Sequence, residues 1–315
     1  MGRKDALRRA IESYLEWVGR TLTPGTERTY RCILGRLYAA ARTTRTTTYL
    51  SRWTAQDLQR ILSARAHLLP GTRRLEMNVL RQLLLHAGST VMERALRDGE
   101  IKAPPASRVN VRWYSEEILA EVRDACQSDT TYLMLVLASE VGLRRAEIAA
   151  LRVSDIGGDV LIIRGKGEKY TPVPLTRLVA QEIDRYKPRR ARLVREAQER
   201  GWQGPWPEEL LIHRHHQGVR EYHPSSIWAR IQAAGKVTGI RLSPHDCRRS
   251  CGRELYLATR DIVAVSRLLR HAQLDQTVQY IGADLEDARR AMETREAKRA
   301  SMTPLEPEPA VNVII

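Results

Sequence analysis

Leu7, Ala10, Ile11, Tyr14, Leu15 and Val18 recur at three- and four-residue intervals between Asp5 and Arg20. This is the signature of a helix with one buried face, and Thr23-Pro24-Gly25 breaks it. A second stripe begins near Thr26 and carries Tyr30, Ile33, Leu34, Leu37, Tyr38 and Ala41, ending in the threonine-rich loop from Thr43 to Thr48. Thr54, with Asp57 three positions on, marks the capped start of a third helix through Leu58, Ile61 and Leu62. A fourth follows Pro70-Gly71 with Leu75, Val79, Leu80, Leu83 and Leu84. The pattern predicts a bundle of four short helices with arginines on its outer faces.

The periodicity lapses from Ile101 to Arg112, around Pro104-Pro105-Ala106-Ser107, which reads as a linker. We expect a helical domain over 1–103, a linker over 104–112, a second domain over 113–300 and a tail over 301–315. In the second domain, Ser115-Glu116-Glu117 opens one helix and Thr130 to Ala138 starts another that leads into Gly142. The β-rich runs Val160 to Ile163 and Tyr170 to Val173, separated by Gly165-Lys166-Gly167, predict a hairpin. Helical patterns resume over Leu178 to Gln198, Ser225 to Ala234, Asp246 to Leu257 and Asp261 to Leu269, and Leu285 to Arg299 is again helical in character. The expected fold class is mainly α with a small antiparallel β-sheet.

A chain of 315 residues suits about two domains. Its 43% hydrophobic and 28% charged residues exclude collagen-like and wholly disordered classes. No apolar run approaches the roughly 20 residues of a membrane span, and Met-Gly-Arg-Lys-Asp-Ala has no secretory signal. We therefore expect a cytoplasmic, nucleoid-associated protein with no membrane association. Charge changes the picture more: the net is +15, 45 of the 52 basic residues are arginine, and residues 1–112 hold 21 basic against 9 acidic side chains. Such an excess suits a phosphate-tracking surface, although a solvated arginine-rich surface gives the same count.

Gly142-Leu143-Arg144-Arg145-Ala146-Glu147, Gly165-Lys166-Gly167, Pro244-His245-Asp246-Cys247-Arg248 and Leu268-Leu269-Arg270-His271, with Tyr280 nine positions beyond, stand in that order. Together they resemble the tyrosine recombinase family, of the lambda-integrase or Xer type. The first domain is similar to the family's helical core-binding domain, chiefly at Thr26 to Tyr30 and Thr54 to Leu62. The resemblance implies a site-specific DNA recombinase acting through a 3′-phosphotyrosyl intermediate, without ATP, metal or other cofactor.

By the resemblance, Tyr280 attacks the phosphorus, Arg144 and Arg248 clamp the non-bridging oxygens, and Lys166 protonates the departing 5′ oxygen. Lys169 competes for that last role. His245 relays the tyrosine's proton, His271 donates to a phosphate oxygen, and Glu147 orients the arginines; Arg145 stays on the surface. These assignments fit chemical need, because charge develops on the phosphate oxygens and a phenol of pKa about 10 needs cations and a proton acceptor to react at neutral pH. The implied partners are double-stranded recombination sites and a homotetramer whose tail, ending in Val311 to Ile315, docks on a neighbouring protomer.

Two other readings stay open, a type IB topoisomerase-like nicking-closing enzyme and a non-catalytic architectural DNA-binding protein. Arg270 replaces the glycine usual before the histidine, either to contact phosphate or to restrain activity, and Arg253 replaces a small residue. Cys247 and Cys251 beside His245 are read as buried thiols rather than ligands. The group His213, His215 and His216, expected in a connecting loop, is read as needing no ion. The chain contains no phenylalanine.

Overall fold

The computed structural model describes residues 5–105, 112–165, 170–271, 273–274, 277–278, 289 and 292–297. The chain divides into two compact units between Val109 and Asn110.

The first unit runs α1 (Ala6–Thr21), α2 (Pro24–Thr43), a 3-10 turn (Leu50–Arg52), α3 (Ala55–Ser63), α4 (Pro70–His86) and α5 (Val91–Arg97). Its core takes Leu7, Tyr14 and Val18 from α1, Leu34 and Leu37 from α2, Leu58 and Ile61 from α3, and Leu80, Leu83 and Leu84 from α4. These are the stripes read from sequence. Two corrections concern helix number and boundaries. Val91–Arg97 is a fifth helix, burying Met92 and Ala95, so the bundle is not one of four. Pro24-Gly25 does not separate helices but opens α2, with Pro24 in the first turn, where a missing N–H costs nothing, and Thr23 as the cap. Thr54 and Asp57 form a reciprocal capping box at α3. The threonine-rich loop is pinned by the buried Trp53, whose indole N–H donates to the Thr47 carbonyl at 2.8 Å.

The second unit is built around α7 (Asp129–Ser139), preceded by α6 (Glu116–Asp124). From Thr130 to Ser139 every residue of α7 except Tyr132 is buried. Such a helix is apolar all round because it is covered on all sides. Short α8 (Arg145–Ala150) follows, then β1 (Ile156–Gly157), β2 (Val160–Arg164) and β3 (Tyr170–Pro174), an antiparallel sheet in that order with Arg164 opposite Tyr170. The long α9 (Arg177–Glu199) runs through Pro188. A second hairpin, β4 (Ile212–His215) and β5 (Gly218–Glu221), precedes α10 (Pro224–Val237), α11 (Pro244–Thr259) and α12 (Ile262–Leu268). The architecture is mainly α with small antiparallel sheets.

The histidine group therefore lies on a hairpin, not in a loop. His213 and His215 belong to β4, and His213 packs against Tyr222 with ring centroids 4.8 Å apart. At the two ends of the expected linker, Ile101 is buried in the first core. The backbone N–H of Tyr114 donates to Ser250 Oγ on α11 at 2.8 Å. Arg253 stacks 5.3 Å over the Trp113 ring, which gives this large side chain a place where a small residue was expected. Ser115 precedes α6 without a side-chain bond to its backbone. The tail over 301–315 lies outside the described residues.

Candidate active site

Gly142, which links α7 to α8, has φ +63, and a Cβ there would come within 2.7 Å of Leu269 Cδ2 and 3.3 Å of Cys251 Sγ. Only glycine suits both the conformation and the approach. The turn it makes brings the start of α8 against the end of α12. Arg144 stands at the N-cap position of α8, where the Glu147 carboxylate accepts its backbone N–H at 2.8 Å and its Nη1 at 2.7 Å. Arg144 is 45% exposed and its Nη2 also reaches the Arg270 carbonyl at 3.4 Å. Arg145 is exposed.

α11 begins with Ser243, whose Oγ accepts from the Asp246 N–H at 3.2 Å and bonds the Asp246 carboxylate at 2.6 Å. That cap fixes the turn carrying His245 and Arg248. Arg248 is 1% exposed, and its two Nη groups donate to the carbonyls of Gly142 and Leu269, while Glu147 lies 3.8 Å away. Arg248 ties the α7–α8 turn to the end of α12.

α12 ends in paired capping bonds, with the Arg270 N–H on the Arg267 carbonyl and the His271 N–H on the Ser266 carbonyl, both at 3.1 Å. This is the Schellman arrangement, whose penultimate residue must take the left-handed conformation and is normally glycine. Here it is Arg270, at φ +53, a conformation that costs a side-chain-bearing residue about 1–2 kcal/mol. The cap turns His271 inward, with Nδ1 2.9 Å from the Oγ1 of buried Thr277. Thr277 was not singled out in the sequence; its sign there was only its place between His271 and Tyr280.

The electrostatics follow from these neighbours. Although burial raises Glu147, the Arg270 charge and the bonds from Arg144 hold its carboxyl below the usual range. Partial desolvation and then the guanidiniums of Arg249 and Arg248 push His245 down to about 4, although the residue is exposed. Desolvation and the charges of Arg248, Arg144 and Arg270 push His271 down to about 4 as well. Both imidazoles are neutral at pH 7, able to accept or donate a proton. Burial pushes the thiols of Cys247 and Cys251 up, away from the thiolate form.

The structure thus brings together Arg144, Glu147, His245, Arg248 and His271 from three separate segments. Lys166 and Tyr280 lie outside the described residues, as does Lys169. What is described of the hairpin is its root: Arg164, at the end of β2, grips buried Asp155 through Nε at 3.0 Å and Nη2 at 2.7 Å. A separate cavity of about 810 Å³ between α9, β4 and α10 is lined by Arg189, Arg192, His213, Tyr222 and Arg230 and holds none of the expected residues. Among the described residues no group of three histidine, cysteine or acidic side chains is placed to hold a metal ion.

In the second unit the guanidiniums of Arg144, Arg248 and Arg270 thus converge on the Glu147 carboxylate, with the imidazoles of His245 and His271 beside those cations. Residues 114–286 match the phage integrase family, and the chain belongs to that family. It is 24% identical over 197 residues to tyrosine recombinase XerA of Pyrococcus horikoshii, covering 62% of this chain and 65% of that one. It is 29% identical over 164 residues to XerA of Thermococcus kodakarensis, covering 51% of this chain. The match thus spans 65% and 54% of the length of these two relatives. Tyrosine recombinase XerC of Proteus mirabilis is 25% identical over 303 residues, covering 90% of this chain and 92% of its own. In fold, the chain is similar to a lambda integrase tetramer bound to a Holliday junction, with TM-score 0.66 and 15% identity over 87% of this chain and 76% of that one. It is also similar to XerH bound to a palindromic difH substrate, with TM-score 0.65 and 17% identity over 91% and 84% of the two chains.

Proposed function

We propose that the chain is a site-specific DNA recombinase that cleaves and rejoins strands through a 3′-phosphotyrosyl intermediate. The observation that carries this reading is the convergence of Arg144, Glu147, His245, Arg248 and His271, in a chain of the phage integrase family. In the proposed reaction Tyr280 Oη attacks the phosphorus and the bond from phosphorus to the 5′ oxygen breaks. The phenolic proton passes to His245, and Lys166 protonates the departing oxygen. The new phosphotyrosyl ester keeps the energy of the broken diester, so a 5′ hydroxyl of the partner strand can reverse the step without ATP.

Arg144, half-exposed, meets the non-bridging oxygens as charge develops on them. Arg248, oriented by the carbonyls of Gly142 and Leu269, clamps those oxygens with it, and His271, set on Thr277, donates to a phosphate oxygen. The partners are double-stranded recombination sites and three further copies of the chain. The lambda integrase of similar fold is a tetramer on a Holliday junction, and XerH is bound to its difH substrate. In this reading residues 1–103 are the core-binding domain, 104–112 the linker and 113–300 the catalytic domain. Residues 301–315 dock on a neighbour, and the protein works on the nucleoid.

Nicked suicide duplexes with randomised arms, incubated with the protein in chelator-containing buffer, should yield a covalent protein–DNA adduct. Tyr280→Phe should form none. An adduct that persists in this variant would reassign the nucleophile, and relaxation of supercoiled plasmid without strand exchange would favour the nicking-closing alternative.

A further inference from the structure

We infer that Arg270 is a positioning residue of the cleavage site, which keeps Arg144 electrostatically uncompensated; the inference rests on the proposed role of Arg144 at the scissile phosphate. The position it occupies calls for glycine, and the side chain present there is engaged on all sides but one. Nη2 donates to Glu147 at 2.8 Å and to the Gly142 carbonyl at 3.3 Å, and Nη1 donates to the Leu268 carbonyl at 2.7 Å. The side chain is only 9% exposed, and its Nε is buried without a hydrogen-bond partner among the described residues. A strained backbone, a buried guanidinium and an unsatisfied donor are together costly, so the gain must lie in what the guanidinium touches.

It touches the one carboxylate that also holds Arg144. With glycine in its place, Arg144 and Arg248 would share Glu147 with a net positive charge of one, and a phosphate approaching Arg144 would meet more of the carboxylate's repulsion behind the guanidinium. With Arg270 present, Arg144, Arg248 and Arg270 share Glu147, and the cluster keeps a net positive charge of two. A phosphodiester gains a second negative charge as its phosphorus becomes five-coordinate, so the added cation acts most strongly on the transition state. The Arg270 carbonyl also accepts Arg144 Nη2 at 3.4 Å and steers that guanidinium. A glycine could provide that carbonyl, but not the cation.

The test compares the wild-type chain with Arg270→Gly and Arg270→Lys in single-turnover adduct formation at saturating concentrations of a captured suicide duplex. Thermal unfolding and NMR titration of the His271 ring are followed alongside. Arg270→Gly relieves the left-handed residue but gives up the ion pair with Glu147, and at temperatures where the variant stays folded it should cleave ten-fold or more slowly. His271, which faces Arg248, Arg144, Arg270 and His245, should titrate at higher pH in this variant. Arg270→Lys, retaining the charge, should cleave faster than Arg270→Gly. An Arg270→Gly variant that cleaves as fast as the wild type, or whose rate falls only in step with its Tm, would overturn the inference while leaving the Tyr280-dependent adduct intact. A wild-type chain that forms no adduct would instead strike the proposed function, and this inference with it.

Discussion

His245 and His271 are the residues whose protonation the fold most opposes. Each is pushed from an ordinary value near 6.5 to about 4. In the interval between, the unfolded chain binds protons that the folded chain refuses, so stability is full above pH 6.5 and falls as the pH drops toward 4. Urea midpoints measured from pH 7.5 to 4.5 should fall on the acid side, and His271→Asn should flatten that fall. Arg144, His245, Arg248 and His271 were legible in the sequence because each sits in a short motif whose spacing survives without the fold. The grip of Arg270 on Glu147, 123 positions away, was not, because nothing local marks which carboxylate a buried arginine will find. The same holds for Arg248, whose motif announces a cation but not the two carbonyls that absorb its N–H groups.

Among the elements, the helices with a full apolar stripe were readable and the short ones were not. α5 has seven residues, too few for its two buried positions to show a period, and its existence depends on the neighbours that cover it. The β4–β5 hairpin escaped because its histidines and arginines carry little strand propensity; Ile212 and Val219 are its buried apolar members. The junction of α7 with α8 is the element boundary on which the site depends. Gly142→Ala would place a methyl 2.7 Å from Leu269 Cδ2 in a left-handed residue. It should cost about 1–3 kcal/mol or more in urea unfolding, with strand cleavage falling further than stability, because the Gly142 carbonyl receives both Arg248 and Arg270.

For the whole molecule, if the proposed function holds, the net charge of +15 and its concentration before residue 113 would place the electrostatic attraction for DNA mainly on the first unit. Nonspecific duplex affinity should fall linearly on a log–log plot against salt, with a slope that counts neutralised phosphates. Residues 5–105 alone should retain most of that slope in fluorescence anisotropy, and a flat response would contradict the assignment. The α7 helix has a consequence for how the other unit moves. With every position from Thr130 to Ser139 buried except Tyr132, its interior amides reach solvent only through an extensive opening of that unit. They should exchange hydrogen for deuterium as slowly as any in the chain. The Gly142 turn begins three residues past the end of this helix, so the side chains gathered around Glu147 are held from a closely packed anchor.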